Sequence, residues 1–305
     1  MSSINNQAAT TSPEDAEYLL AGTGTEFMAA LKGQVFFAPL DTAREEMKIL
    51  DMACADGVYL TFFIPPFSLR TLLREMSTRL PSSTSFVGVD LMKSFLPAKD
   101  ATPDNYRYLA QDVLTPLPGD LQGVFDLANV RLMFAGVVGK EAAAVQNLVD
   151  GLKSGGWLQI MEMRLYTPYG GDDDKTAYDD ADDGDGETQS LKDFKTLLSS
   201  VFAAIGLQKG FPMGLEGVMK DAGLQDVRVV VVDAPIGKDV SEDRKLQLLS
   251  VGPFQLTIKT LVATCEKLGL QIPASVTDNL EDRLVRDALE HGGKFQFAVL
   301  TGRKA

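Results

Sequence analysis

An α/β fold carried on one open sheet of seven strands, with helices on both faces, is predicted by three features of the sequence. Short apolar runs alternate with segments of helical periodicity along the chain. Three of those runs close on an acidic residue, Asp51, Asp90 and Asp112. The first of them, in KILDMACADG (Lys48–Gly57), leads directly into a loop of small residues. Because ligands of open parallel sheets bind beyond the carboxyl ends of the strands, the three carboxylates are expected around one crevice.

Before that core, residues 1–14 are rich in Ser, Thr, Asn and Gln and are expected to be flexible. Tyr18, Leu19, Phe27, Met28 and Leu31 recur at helical spacing, interrupted at Gly22-Thr-Gly24. Tyr18 either closes over a bound molecule or packs its helix onto the core. Strand one reaches Asp51, and the loop after it keeps Ala53, Ala55 and Gly57 small, so that backbone can approach a ligand before a helix begins. Pro65-Pro66 splits the helical stretch between Gly57 and Leu80, since an internal proline removes a helical hydrogen bond.

Strand two is Ser85–Asp90. Asp90 stands where a carboxylate accepts from ribose hydroxyls, with Leu91 and Met92 either on the face of an adenine or in the core. Strand three is Tyr106–Ala110, after which Asp112 and the Val113 amide could meet the adenine edge. Strand four, Gly123–Asn129, presents the Asn129 carbonyl at its mouth to a sulfonium or an amine, and leads to Arg131, Met133 and Phe134 as candidate substrate contacts. Arg131 either orients substrate or ties down the loop. A helix over Lys140–Leu152 should end at the Gly155-Gly156 turn, and strand five should run from Trp157 to Met163, with Trp157 as a sheet anchor. Tyr166 and Tyr169 follow as candidate pocket wall or exposed loop aromatics.

The run 170–187 holds nine Asp or Glu against one Lys and lacks the glycine and glutamate spacing of a calcium loop, so it reads as a solvated acidic insertion and no metal site is expected. Helices are expected over Leu191–Gly206 and Gly214–Ala222, and strand six over Val227–Asp233. The insertion 236–292 should hold three helices, Asp243–Leu249, Phe254–Leu268 and Val276–Glu290, capping the crevice. Strand seven is Lys294–Gly302.

At 305 residues, with 45% apolar and 23% charged residues, the chain suits a single domain over 15–305. Neither a secretory segment nor an apolar run of ~18 residues is evident, so a cytoplasmic protein is expected. A formal charge of −13 argues against nucleic acid as a partner. Two cysteines make no disulfide framework, and the single histidine, His291, makes a Ser-His-Asp device improbable.

The alternate spacing of 53, 55 and 57 differs from the G-x-G-x-x-G of a dinucleotide site, and the preceding aspartate repels pyrophosphate while suiting an ammonium and a sulfonium. Asp51-Met-Ala53-Cys-Ala55-Asp-Gly57 therefore resembles motif I of class I S-adenosylmethionine (SAM) methyltransferases, usually D/E-x-G-x-G-x-G. FMAALKGQVFFAPL, VGVDLMKSFLP, LKSGGWLQIMEM, DAPIGK and FQFAVLTGRK resemble, more narrowly, the LaeA-like methyltransferases of fungal secondary metabolism. The resemblance implies a Rossmann-like, mostly parallel sheet whose last strand is antiparallel. It also implies SAM as cofactor, with Asp51, Ala53, Ala55 and Gly57 at its methionine end, Asp90 on the ribose and Asp112 with Val113 on the adenine. Alanine at 53 and 55 departs from the pattern, because a left-handed alanine costs roughly 1 kcal/mol or more.

The expected activity is methyl transfer to a small, largely apolar secondary metabolite, driven by proximity and orientation, with no catalytic base identified. Without a well-placed imidazole the acceptor should already be nucleophilic, or a carboxylate or tyrosine should serve as base. Two other readings stay open: a SAM-holding protein that templates a cyclisation, and a LaeA-like regulator acting through a protein partner. A homodimer is compatible with all three.

Overall fold

The computed structural model describes residues 34–54, 73, 76–93, 96, 102–164, 187–207 and 210–305. Seven strands form one sheet: β1 (Lys48–Met52), β2 (Ser85–Asp90), β3 (Tyr106–Ala110), β4 (Phe125–Arg131), β5 (Leu152–Met163), β6 (Leu224–Ile236) and β7 (Gly293–Lys304). Their order is β3-β2-β1-β4-β5-β7-β6. β1 to β5 pair in parallel, while β7 lies antiparallel between β5 and β6, so the expected mixed sheet is present. Between β1 and β4 the strand order reverses, which opens a crevice at their carboxyl ends.

The central strands are apolar almost throughout because both of their faces are covered. α1 (Glu141–Gly151) and α3 (Leu215–Asp221) pack Ala144, Leu148 and Met219 with Leu50, Val130 and Ile160. On the other face α2 (Gln189–Ala204), α4 (Arg244–Leu268) and α6 (Leu280–His291) pack Phe194, Leu261 and Leu284 with Met161, Phe297 and Val299. The short α5 (Ala274–Thr277) joins α4 to α6. A smaller cluster, Val35, Met47, Ile49, Phe86 and Leu127, lies under residues 34–40, and Trp157 packs on it as an anchor.

Several boundaries differ from expectation, among them the single helix expected over Val276–Glu290, which is split into α5 and α6 at Asp278-Asn279. Gly155-Gly156 does not end a helix; it lies inside β5, which begins at Leu152. Gly155 has φ +77° and the register slips between Phe125 and Leu127, so the glycines form a bulge. Likewise, the two helices expected on either side of Gly252-Pro253 are one helix, α4. It is capped at the start by Asp243, which accepts from the Lys245 amide at 2.9 Å, and ends at Gly269 in the left-handed conformation. Burial of Leu248, Val251, Ile258 and Leu261 outweighs the hydrogen bond forgone at Pro253.

α4 is also long and apolar enough to cross a membrane by length and composition, which sequence inspection did not anticipate; its apolar residues pack into the core as those of an interior helix do. With α5 and α6 it fills the chain between β6 and β7 and, together with α2, forms a layer over one face of the sheet.

Candidate active site

Across the sheet Asp51 pairs in register with Asn129, and Asn129 with Gln159, so the three side chains project from one face in a row. Asn129 Nδ2 donates to Asp51 Oδ1 at 2.7 Å, and Gln159 Nε2 donates to Asn129 Oδ1 at 3.0 Å. Gln159 then binds the segment that crosses this face: Oε1 accepts from the Phe37 and Ala38 amides at 2.7 and 3.1 Å, and Nε2 donates to the Val35 carbonyl at 3.0 Å. The Asn129 side chain is therefore committed inside a buried network. A polar residue on the inner face of a packed strand must find its partners in the same layer.

Asp51 itself is buried, and Oδ2 has no hydrogen-bond partner among the described residues. Burial pushes its carboxyl up to about 6, opposed by the Arg131 guanidinium and by the Asn129 hydrogen bond. Arg131, at the end of β4, is buried as well; desolvation lowers its pKa and the Asp51 charge raises it. Its charge therefore serves the carboxylate of the first strand, whatever else it touches.

Past β1 the chain turns at Ala53, whose φ of +60° is left-handed. The Cys54 amide donates to the Val89 carbonyl at 3.1 Å, closing the turn over β2. Gly88 leaves the space this needs: a Cβ there would stand 2.7 Å from Cys54 Sγ and 2.6 Å from the Tyr108 ring. Ala55 and Gly57, like Tyr18, Tyr166 and Tyr169, lie outside the described residues, as does nearly all of the acidic run.

At the end of β2, Asp90 is 1% exposed, and its Oδ1 accepts from the Met92 amide at 2.9 Å. Leu91 between them is 41% exposed, an apolar surface at the crevice. Beyond β3, Asp112 Oδ1 accepts from the Leu114 amide at 2.9 Å, and the Val113 carbonyl accepts from Asn147 Nδ2 at 2.7 Å, so this loop is a rigid turn anchored to α1. Asp51, Asp90 and Asp112 thus stand at the carboxyl ends of neighbouring strands or just beyond, as expected from the sequence.

Phe134 contributes differently from expectation. The Phe134 ring is completely buried in the core, and what faces inward here is backbone: the Met133 and Phe134 amides donate to Glu162 Oε1 at 2.7 and 2.8 Å. Glu162, near the end of β5, is the residue sequence reasoning missed, although an acid inside the apolar run LQIMEM was the available signal. Burial pushes its carboxyl up to about 8, against the two backbone hydrogen bonds. It lines a cavity with Leu132, Met163, Phe194, Phe211 and Phe254. His291 is exposed at the end of α6, beside Glu290.

The mouth of the sheet suits an adenosyl sulfonium: Asp51 keeps a buried acceptor without a partner at the switch point, and a carboxylate in that position can take an ammonium. Sheet order, antiparallel final strand and mouth carboxylates together define the Rossmann-like fold of the class I SAM-dependent methyltransferases.

No family model matches the chain. Methyltransferase psoC of Aspergillus fumigatus is 28% identical to it over 279 residues, 90% of this chain and 89% of that protein. N-methyltransferase sirN of Leptosphaeria maculans is 25% identical over 285 residues, 92% of this chain and 88% of that one. Among solved structures, Haemonchus contortus phosphoethanolamine N-methyltransferase 2 in complex with S-adenosyl-L-methionine aligns with a TM-score of 0.47 at 13% identity, over 92% of this chain and 52% of that chain.

Proposed function

We propose that this chain is a SAM-dependent methyltransferase of fungal secondary metabolism, acting on a small, largely apolar metabolite. The observation that carries the reading is the buried Asp51 carboxylate, with one oxygen held by Asn129 and the other unpartnered at the switch point. SAM, when bound, supplies a methyl group already activated on sulfur. Asp51 and Ala53 would hold its methionine end, Asp90 its ribose, and Leu91, Met92, Asp112 and Val113 its adenine. The protein then contributes orientation and exclusion of water, which suffice for an in-line displacement.

The name of sirN, an N-methyltransferase, favours a nitrogen acceptor for this chain too. Kinship with the LaeA-like proteins rests on the sequence fragments quoted above. Incubating the purified protein with methyl-labelled SAM and a fungal metabolite extract should give label in an organic-soluble product. Tight binding of S-adenosylhomocysteine without any label transfer would favour the cyclisation reading instead, and no binding at all would sink both.

A further inference from the structure

We propose that Glu162 forms the acceptor end of the site, receiving the nitrogen of a small amine head group and taking a proton from it. The inference rests on the methyltransferase reading and names the substrate class of that same site.

Three observations meet at this residue. Both backbone donors, the Met133 and Phe134 amides, bind the same oxygen, Oε1, which fixes the carboxylate plane. Neither of these bonds reaches Oε2. The cavity that Glu162 lines is otherwise walled almost wholly by apolar side chains, including Phe194, Phe202, Phe211 and Phe254, three of them from α2 and α4. Phe254 is held by stacking on Phe295 at 4.5 Å and by an edge contact with Phe194 at 5.4 Å.

An acid buried in such surroundings is costly unless it has a task or a partner. Aromatic walls with one carboxylate suit an alkylammonium, which is drawn both to the rings and to the charge. The cavity, of about 30 Å3, has room for a small head group, so the apolar body of the acceptor extends outwards. An ammonium nitrogen has no lone pair and cannot accept a methyl group. When its N–H bond breaks, the proton goes to Glu162 Oε2, the electron pair stays on nitrogen as the lone pair, and the carboxylate becomes a carboxylic acid. Burial disfavours the lone carboxylate and so makes that acid a ready destination for the proton. Because it would touch the reacting nitrogen, Glu162 is assigned as a catalytic residue.

The test compares phenethylamine with phenethyl alcohol, a neutral molecule of nearly the same shape, by calorimetry on the whole chain above about pH 8, where Glu162 is ionised. Wild-type protein should prefer the amine at least about fivefold, as a charge-assisted hydrogen bond allows, and Glu162→Gln should reduce that preference to about one while binding the alcohol unchanged. Phe254→Ala should weaken both probes by a similar factor and keep the preference for the amine. The proposal is overturned if Glu162→Gln keeps the preference, or if Phe254→Ala leaves both affinities unaltered. S-adenosylhomocysteine affinity is measured alongside: binding of it with no amine preference removes the Glu162 assignment alone, whereas its absence with the preference intact removes the methyltransferase reading alone.

Discussion

Ala53 holds a backbone conformation that costs an L-residue roughly 1 kcal/mol or more, at the point where the usual motif has glycine. From the sequence, a left-handed alanine was the costly departure from the motif, and the structure places Ala53 in that conformation. Ala53→Gly should therefore raise stability by up to about 1 kcal/mol, less the added freedom of glycine in the unfolded chain, readable as a higher denaturant midpoint. Asp90→Ala should weaken SAM binding by at least about tenfold, since hydrogen bonds to a charged group contribute roughly 1.5–3 kcal/mol; unchanged affinity in a calorimetric titration would remove Asp90 from the ribose. Asp51→Asn keeps the shape of the side chain but removes the charge beside Arg131, and should weaken the cofactor in the same assay.

Strand β5 carries two of the buried polar side chains, Gln159 and Glu162. Its bulge at Gly155-Gly156 lets the strand continue from Leu152, and its outer half presents Gln159 and Glu162. A Cβ on Gly156 would stand 2.6 Å from the Phe125 carbonyl, too close for either backbone to accept without shifting. Gly156→Ala should cost roughly 1–3 kcal/mol, as overpacking does, and be read as a lower melting temperature. α4 matters in a different way. By running unbroken through Pro253 it brings Phe254 to the cavity on the same rigid body that buries Leu248 and Leu261 in the core.

For the molecule as a whole, two buried acids set a pH dependence. Asp51 titrates at about 6 and Glu162 at about 8 in the folded chain, against ordinary values of 3.8 and 4.5. Both are raised, so the native state binds more protons than the unfolded state between the two values for each group. Their contribution to stability is whole below about pH 4 and is lost as pH rises through about 6 and then about 8, at a slope of up to about 1.4 kcal/mol per pH unit for each group. Glu162→Gln should flatten the upper part of that decline, between about pH 6 and 8, in a series of melting temperatures; an identical slope in the variant would show that Glu162 is not the group responsible. Ligands that neutralise either carboxylate should stabilise the protein most at the alkaline end.

The sequence by itself determined the sheet and the edge at which a ligand is expected. Strands that carry Asp51 and Asp90 near their ends are legible because the run of apolar residues and the acid are local features, and parallel pairing follows from the helical stretches expected between them. What only the tertiary structure decided is how each polar side chain is used. Asn129 is spent on Asp51 and Gln159, and Phe134 lends its amide rather than its ring. Glu162 faces a cavity built by residues from β5, α2 and α4, far apart in the chain. Burial and hydrogen-bond partnership arise from segments meeting in space, and no single stretch of sequence contains both halves of such a contact.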